Sequence, residues 1–162
     1  FPQIVLGAPH GSGANVGSFD VLSLGAGGSI VLKSVTPILN LAGPDFIVFE
    51  NAFYAGGNPL TPFAEPAEVS VSSDGVDFHP FPCAFDQPEN LYPGCAGVHP
   101  VYANPDLNLI NPLNPLTAGG EAYDLEDLAI QWVYYIKIED KSTSGGGSSA
   151  GFDLDAVSII HQ

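Results

Sequence analysis

Arginine is absent from this chain, and lysine occurs only as Lys33, Lys137 and Lys141, against 18 Asp plus Glu. A formal net charge of −15 leaves little with which to neutralise a phosphate backbone, so nucleic acid is excluded as a partner and anionic membrane surfaces are disfavoured. Methionine is missing too, and the first residue is Phe1, so the chain is expected to be a processed form or part of something longer. No apolar run reaches the ~18 residues of a membrane-spanning helix, and no membrane insertion is expected. Cysteine is scarce: Cys83 and Cys95 stand alone in a Pro- and Gly-rich stretch, without a CxxC pattern. A structural disulfide in an oxidising compartment is the natural reading, with two buried thiols as the alternative.

Turn formers are plentiful. The chain carries 19 Gly and 15 Pro in 162 residues, yet 45% of it is hydrophobic. Long helices do not tolerate such punctuation, whereas many short strands need it. Strand chemistry is expected over Gln3 to Leu6 and over Asp20 to Leu24 and Ser29 to Lys33, the latter two as a hairpin about GAGG. It recurs in DFIVFE (Asp45 to Glu50), in Ala67 to Ser72 with Val69 and Val71 on one face, and in Val76 to Phe81 beyond a Ser-Asp-Gly turn. Ile130 to Glu139 reads as the longest strand, with Trp132, Tyr134, Ile136 and Ile138 on one face, and Phe152 to Ile160 closes the fold. Only Glu121 to Leu128 reads as helical. The expectation is one all-β domain over residues 1–162, a two-sheet antiparallel β-sandwich of jelly-roll type with one short helix and long Pro/Gly-rich loops.

Two long connections stand out. Pro82 to Gly120 has almost no strand pattern, and a loop of that length is usually functional or cross-linked; a Cys83–Cys95 bond would pin it. Lys141 to Gly151 (KSTSGGGSSAG) lies between two strands and reads as a mobile loop, not a domain boundary.

Asp153 and Asp155 share one parity in the closing strand, two positions apart. Two such carboxylates repel unless protonated or neutralised, and the lysines are too few to pair them. A hard cation with oxygen ligands resolves this, and Ca²⁺ takes six to eight of them. Solvated carboxylates on an exposed face are the plainer alternative. Glycosidase chemistry would need two facing carboxyls, and nothing singles out a pair among Glu50, Glu65 and Glu121. The GxSxG match Gly147 to Gly151 lies in low-complexity sequence without a strand–turn–helix context, so no enzyme is expected. His79 and His99 flank the cysteines symmetrically and are a possible second metal pair, or simply loop histidines bonded to backbone. Tyr54, Tyr92 and Tyr102 lie in loops, where rings either pack or stack on sugars.

Taken together, GPDFIVFENAF (43–53), FAEPAEVSVSSDGVDF, AYDLEDL, YYIKIED and GFDLDAV resemble a family of exported bacterial proteins described only as cell surface proteins. The resemblance runs from about Gly7 to His161. A looser likeness to surface proteins with GNAF, SEPG, FDI and GFDI motifs implies roles for Asn51, Glu65, Asp124 and Asp153, while Glu50 departs from that pattern. EVSVSSDGVDF and VYYIKIED also resemble discoidin and carbohydrate-binding jelly rolls, which implies a structural calcium and glycan binding at loop ends. The resulting expectation is an extracellular or cell-surface, non-enzymatic, Ca²⁺-stabilised module with Asn51, Glu65, Asp124, Asp153 and Asp155 as ligands. Its expected partners are copies of itself, docked through Phe1 to Gly13, or other surface proteins; a glycan-binding lectin-like domain is the alternative.

Overall fold

The run Phe46–Glu50 is buried along its whole length, which an alternating pattern would not give and which needs cover on both faces. In the computed structural model, which describes residues 3–142 and 150–162, this run is the centre of a two-sheet sandwich. The strands are β1 (Leu22–Ser23), β2 (Ser29–Leu39), β3 (Phe46–Glu50), β4 (Phe53–Tyr54), β5 (Pro62–Phe63), β6 (Ala67–Ser72), β7 (His79–Pro80), β8 (Glu121–Tyr123), β9 (Trp132–Asp140) and β10 (Asp153–Ile159). One sheet runs β1-β10-β3-β8 and the other β2-β9-β6-β7, with β4 and β5 forming a separate ribbon. Every pairing is antiparallel. Leaving the ribbon aside, the chain changes sheet at every step except the β6–β7 hairpin, and that wrapping is a jelly roll.

Between the sheets, Phe46 and Val48 of β3 and Leu154 of β10 meet Val69 and Val71 of β6 and Ile136 and Ile138 of β9. A second cluster lies on the outer face of the first sheet, where Ile47, Phe49 and Ala156 are covered by Val101, Ala103 and Ala118. The long 82–120 segment is therefore a cover for β3, which explains why β3 is apolar on both sides. Its first part is closed by the Cys83–Cys95 disulfide, with Cα atoms 4.5 Å apart. Residues 10–13 dock on the cover itself, Gly11 N–H donating to Ala103 and Gly13 N–H to Val101.

Several expectations need correction. Gln3–Val5 is a 3-10 turn, not a strand. The GAGG segment closes a tight turn, Gly28 N–H to Gly25 O at 2.8 Å, but its flanks do not pair. Instead β1 joins β10 and β2 joins β9, so this turn carries the chain from one sheet to the other. Where a helix is expected, Glu121–Tyr123 is edge strand β8 and Leu125–Leu128 a single 3-10 turn, because pairing with β3 claims the first residues. In β9 the core residues are Val133, Ile136 and Ile138 rather than one alternating face, and β2, the longest strand, breaks register beside them between Lys33 and Ile38. The β6–β7 hairpin forms as expected, though shorter. Its turn is tied by Asp74, whose Oδ1 accepts the N–H groups of Val76 and Asp77.

Candidate functional site

At one corner of the first sheet, β3 ends, β10 begins and β1 runs alongside. Ser23 and Asp153 are cross-strand partners there, Glu50 is paired with Leu154, and Asn51 Nδ2 donates to Asp153 Oδ2 at 3.4 Å. Among the described residues, four buried side-chain oxygens have no hydrogen-bond partner, and all belong to this corner: Ser23 Oγ, Glu50 Oε2, Asn51 Oδ1 and Asp153 Oδ1. A buried oxygen without a donor costs about 1–3 kcal/mol, more for a charged group, so four in one place call for an explanation.

Charge sharpens the point. Glu50 is only 2% exposed, and burial pushes its carboxyl well above the usual range, helped by the negative charges of Glu121, Glu65 and Asp153. Glu65 is also buried and raised, chiefly by desolvation and then by Asp153 and Asp140, although Gly151 N–H donates to its Oε1 at 2.9 Å. Bringing carboxylates together with so little compensation favours either protonation or a bound cation. The donor set is all oxygen, two carboxylates with one amide and one hydroxyl, and such a set suits a hard divalent ion such as Ca²⁺. Among the described residues, no group of three or more His, Cys, Asp or Glu side chains is placed to hold a metal. A site at the corner would therefore not draw on Glu65 as a third acid, and half of its oxygens would come from the neutral Ser23 and Asn51.

The expected ligands divide. Asn51, Asp153 and Glu65 come to this corner. Asp124 and Asp155 do not. Asp124 caps the 3-10 turn, accepting Glu126 N–H at 2.9 Å, and it follows β8 at the Phe46 end of β3. Four residue steps along β3 separate that end from Glu50, roughly 13 Å at strand rise. Asp155 sits at a register shift between Leu154 and Ala156 that breaks its parity with Asp153. Both its oxygens lie 3.0 Å from His10 N, and burial raises its carboxyl to about 6.

Asp155 belongs to a wider pattern. Asp140 accepts the N–H groups of Gly27, Ser142 and Phe152, and Glu121 those of Gly97, Val98 and His99. Buried Asp45 accepts from Leu41 and Leu125 and holds His161 Nδ1 at 2.8 Å. These four carboxylates satisfy loop amides that no sheet reaches, so they need no lysine partner.

The two histidines of the second candidate pair have different surroundings. His79 is exposed in β7 opposite Val71, while His99 Nδ1 is held 3.1 Å from Glu121 Oε1, a contact that raises its basicity. His99 instead borders a cleft of about 650 Å³ under the disulfide loop, with Phe81, Val98 and Tyr123 among its lining and Asn90, Tyr92 and Asp127 at its rim. Leu91 and Tyr92 both have left-handed backbone conformations, φ 58° and 47°. Of the GxSxG match, residues 147–149 lie outside the described residues, as does the central part of the 141–151 loop and Phe1 and Pro2 of the N-terminal segment.

Comparison of the chain with protein-family models, with curated proteins and with solved structures finds no match. The corner and the cleft therefore rest on their own geometry. Sequence reasoning missed Ser23 and set Glu50 aside; the available signal for Glu50 was an acid ending a fully apolar run.

Proposed function

We propose that this chain is a non-enzymatic, calcium-stabilised module of the cell surface or extracellular matrix. The observation that carries the reading is the set of four partnerless buried oxygens at Ser23, Glu50, Asn51 and Asp153. A divalent ion there would tie the end of β3 to the start of β10 and neutralise Glu50. The disulfide supports an oxidising location. The non-enzymatic reading is supported by the use of Glu65 and Glu121, the acids otherwise suited to facing catalytic roles, as acceptors for backbone N–H groups. The test is thermal unfolding in EDTA and in millimolar Ca²⁺, with elemental analysis of bound metal. An ion that binds only the folded state adds about 2.7 kcal/mol at a hundredfold excess over its dissociation constant. Asp153→Asn should remove most of that increment. A wild-type midpoint indifferent to both additions, in protein carrying no metal, would sink the reading.

The cleft favours a second reading, a glycan-binding domain. Its apolar floor suits the C–H face of a sugar ring, and its rim offers imidazole, amide and carboxylate groups for hydroxyls. A volume of about 650 Å³ lies within the range of small-ligand sites. Isothermal titration with neutral trisaccharides of glucose, mannose and N-acetylglucosamine tests it. Binding weakened by Tyr92→Ala supports it, and no heat with any of the three rejects it.

A further inference from the structure

Two surface features of this chain complement each other. The first is the segment 104–117. Asn104, Asn108, Asn111 and Asn114 each accept, through the side-chain oxygen at 3.0 Å, the N–H two residues on. Such turns fix a loop locally, without apolar burial. The leucines are accordingly left in solvent: Leu107 is 75% exposed, Leu109 103% and Leu116 91%. A loop held in shape by its own hydrogen bonds presents these leucines in a fixed arrangement that a partner surface can match.

The second is a slot between the sheets of about 190 Å³, lined by Leu6, Leu32, Ile38, Ile136, Val157 and Ile159. It is smaller than the ~300 Å³ at which small-molecule sites begin, and its lining suits an aliphatic side chain. Lys33 stands at its rim. Lys137 and Lys141 are both paired with Glu139, whereas among the described residues Lys33 makes no ion pair, its ammonium lying 5.3 Å from the Tyr135 ring centroid. The leucine loop carries the matching charge: Asp106, beside Leu107, has a side chain 76% exposed, with His10 Nδ1 3.4 Å from its Oδ2 as its neighbour in the same copy. In a chain of net charge −15, the one lysine that makes no ion pair among the described residues thus borders the apolar slot, and a carboxylate borders the leucines.

We propose that the leucine loop of one copy docks into the slot of a second copy, with Asp106 against Lys33. The loop lies over the outer face of the first sheet and the slot opens between the sheets, so the contact joins two different surfaces. Made once per pair, without the reverse contact closing between the same two copies, the contact is heterologous: each copy keeps one unused surface and association continues head to tail. The inference deepens the surface-module reading and rests on it for its setting, but the contact itself uses no ion.

Sedimentation velocity of the full chain from micromolar to millimolar, in physiological salt with either Ca²⁺ or EDTA, provides the test. The wild type is expected to grow beyond dimers with concentration in both buffers. Leu107→Ser with Leu109→Ser removes the knob at exposed positions, and Lys33→Glu reverses the charge at the slot. Each is expected to weaken association at least about tenfold. A mixture of the two variants retains one intact contact, from the loop of one to the slot of the other, and should stop at one-to-one pairs. A wild type monomeric throughout, as when the chain's own N-terminus fills the slot, overturns the proposal. So do oligomers indifferent to both variants, association seen only with Ca²⁺, or a mixture that stays monomeric or grows past pairs. Loss of the calcium response in unfolding with association intact would count against the ion alone.

Discussion

Asn51 and Asp153 share one hydrogen bond, Nδ2 to Oδ2 at 3.4 Å, while the Oδ1 atom of each is buried without a donor. Pairing with each other satisfies only one atom of each side chain and leaves Asn51 Oδ1 and Asp153 Oδ1 without a partner. In the proposed site a cation would be bound by both Oδ1 atoms, and the backbone nearby is built close around them. A Cβ on Gly17 would come 2.3 Å from Asn51 Oδ1.

Gly17→Ala therefore tests the corner sterically. The Gly17 backbone is not in the left-handed region, and the three atoms nearest the added methyl all belong to Asn51. The expected outcome is a smaller rise in unfolding midpoint on adding Ca²⁺ than wild type shows. The increment with calcium is the readout, since the clash itself also lowers stability in EDTA. An undiminished increment would place the ion elsewhere.

The disulfide yields a second expectation. Cys83 and Cys95 are 12 residues apart, and closing a loop of this length stabilises a fold by about 2–3 kcal/mol. Cys83→Ser with Cys95→Ser should lose about that much in urea denaturation. Any saccharide binding should weaken as well, because Cys95 and the neighbouring Tyr92 line the cleft. Loss of stability with unchanged binding would separate the loop from the cleft.

Much of the fold was legible, and the failures have physical causes. DFIVFE and the alternation of Val69 and Val71 announce strands because burial demands apolar side chains there. The partner of a short strand is different: Leu22 and Ser23 look the same whether they pair with β2 or with β10, and only the completed sandwich decides. Half of the corner was legible. Asn51, Glu65 and Asp153 meet there, but Asp155 was misread because a register shift is invisible in strict alternation. Asp124 was misread because an acid lacking a lysine can satisfy itself with backbone N–H groups, and amides do not appear in a count of charges.

The Glu121–His99 contact sets a pH dependence. His99 is raised above its usual value by its hydrogen bond to Glu121, so the contact contributes fully below the unfolded pKa and is lost as pH rises through the folded one. Glu121→Gln should lower the His99 titration midpoint seen by NMR and remove any decline in stability it causes as pH rises above the ordinary histidine range. The decline in wild type should be small, since the His99 side chain is 62% exposed. A His99 midpoint unmoved by the substitution would show that the contact does not persist in solution.

Glu50→Gln separates a metal ligand from a merely buried acid by the sign of its effect. Glu50 is buried, its Oε2 has no partner, and Glu121, Glu65 and Asp153 all oppose its ionisation. In EDTA at mildly alkaline pH the neutral amide should relieve that repulsion and stabilise the protein, by about 1–3 kcal/mol. With Ca²⁺ present the same substitution removes one of two carboxylates from the oxygen set, so the variant should be less stable than wild type. Urea denaturation in the two buffers measures both arms. If Glu50 is buried without an ion, the variant is the more stable protein in both. The crossing from stabilising to destabilising on adding calcium is expected only if a cation takes up the charge that Glu50 cannot otherwise carry.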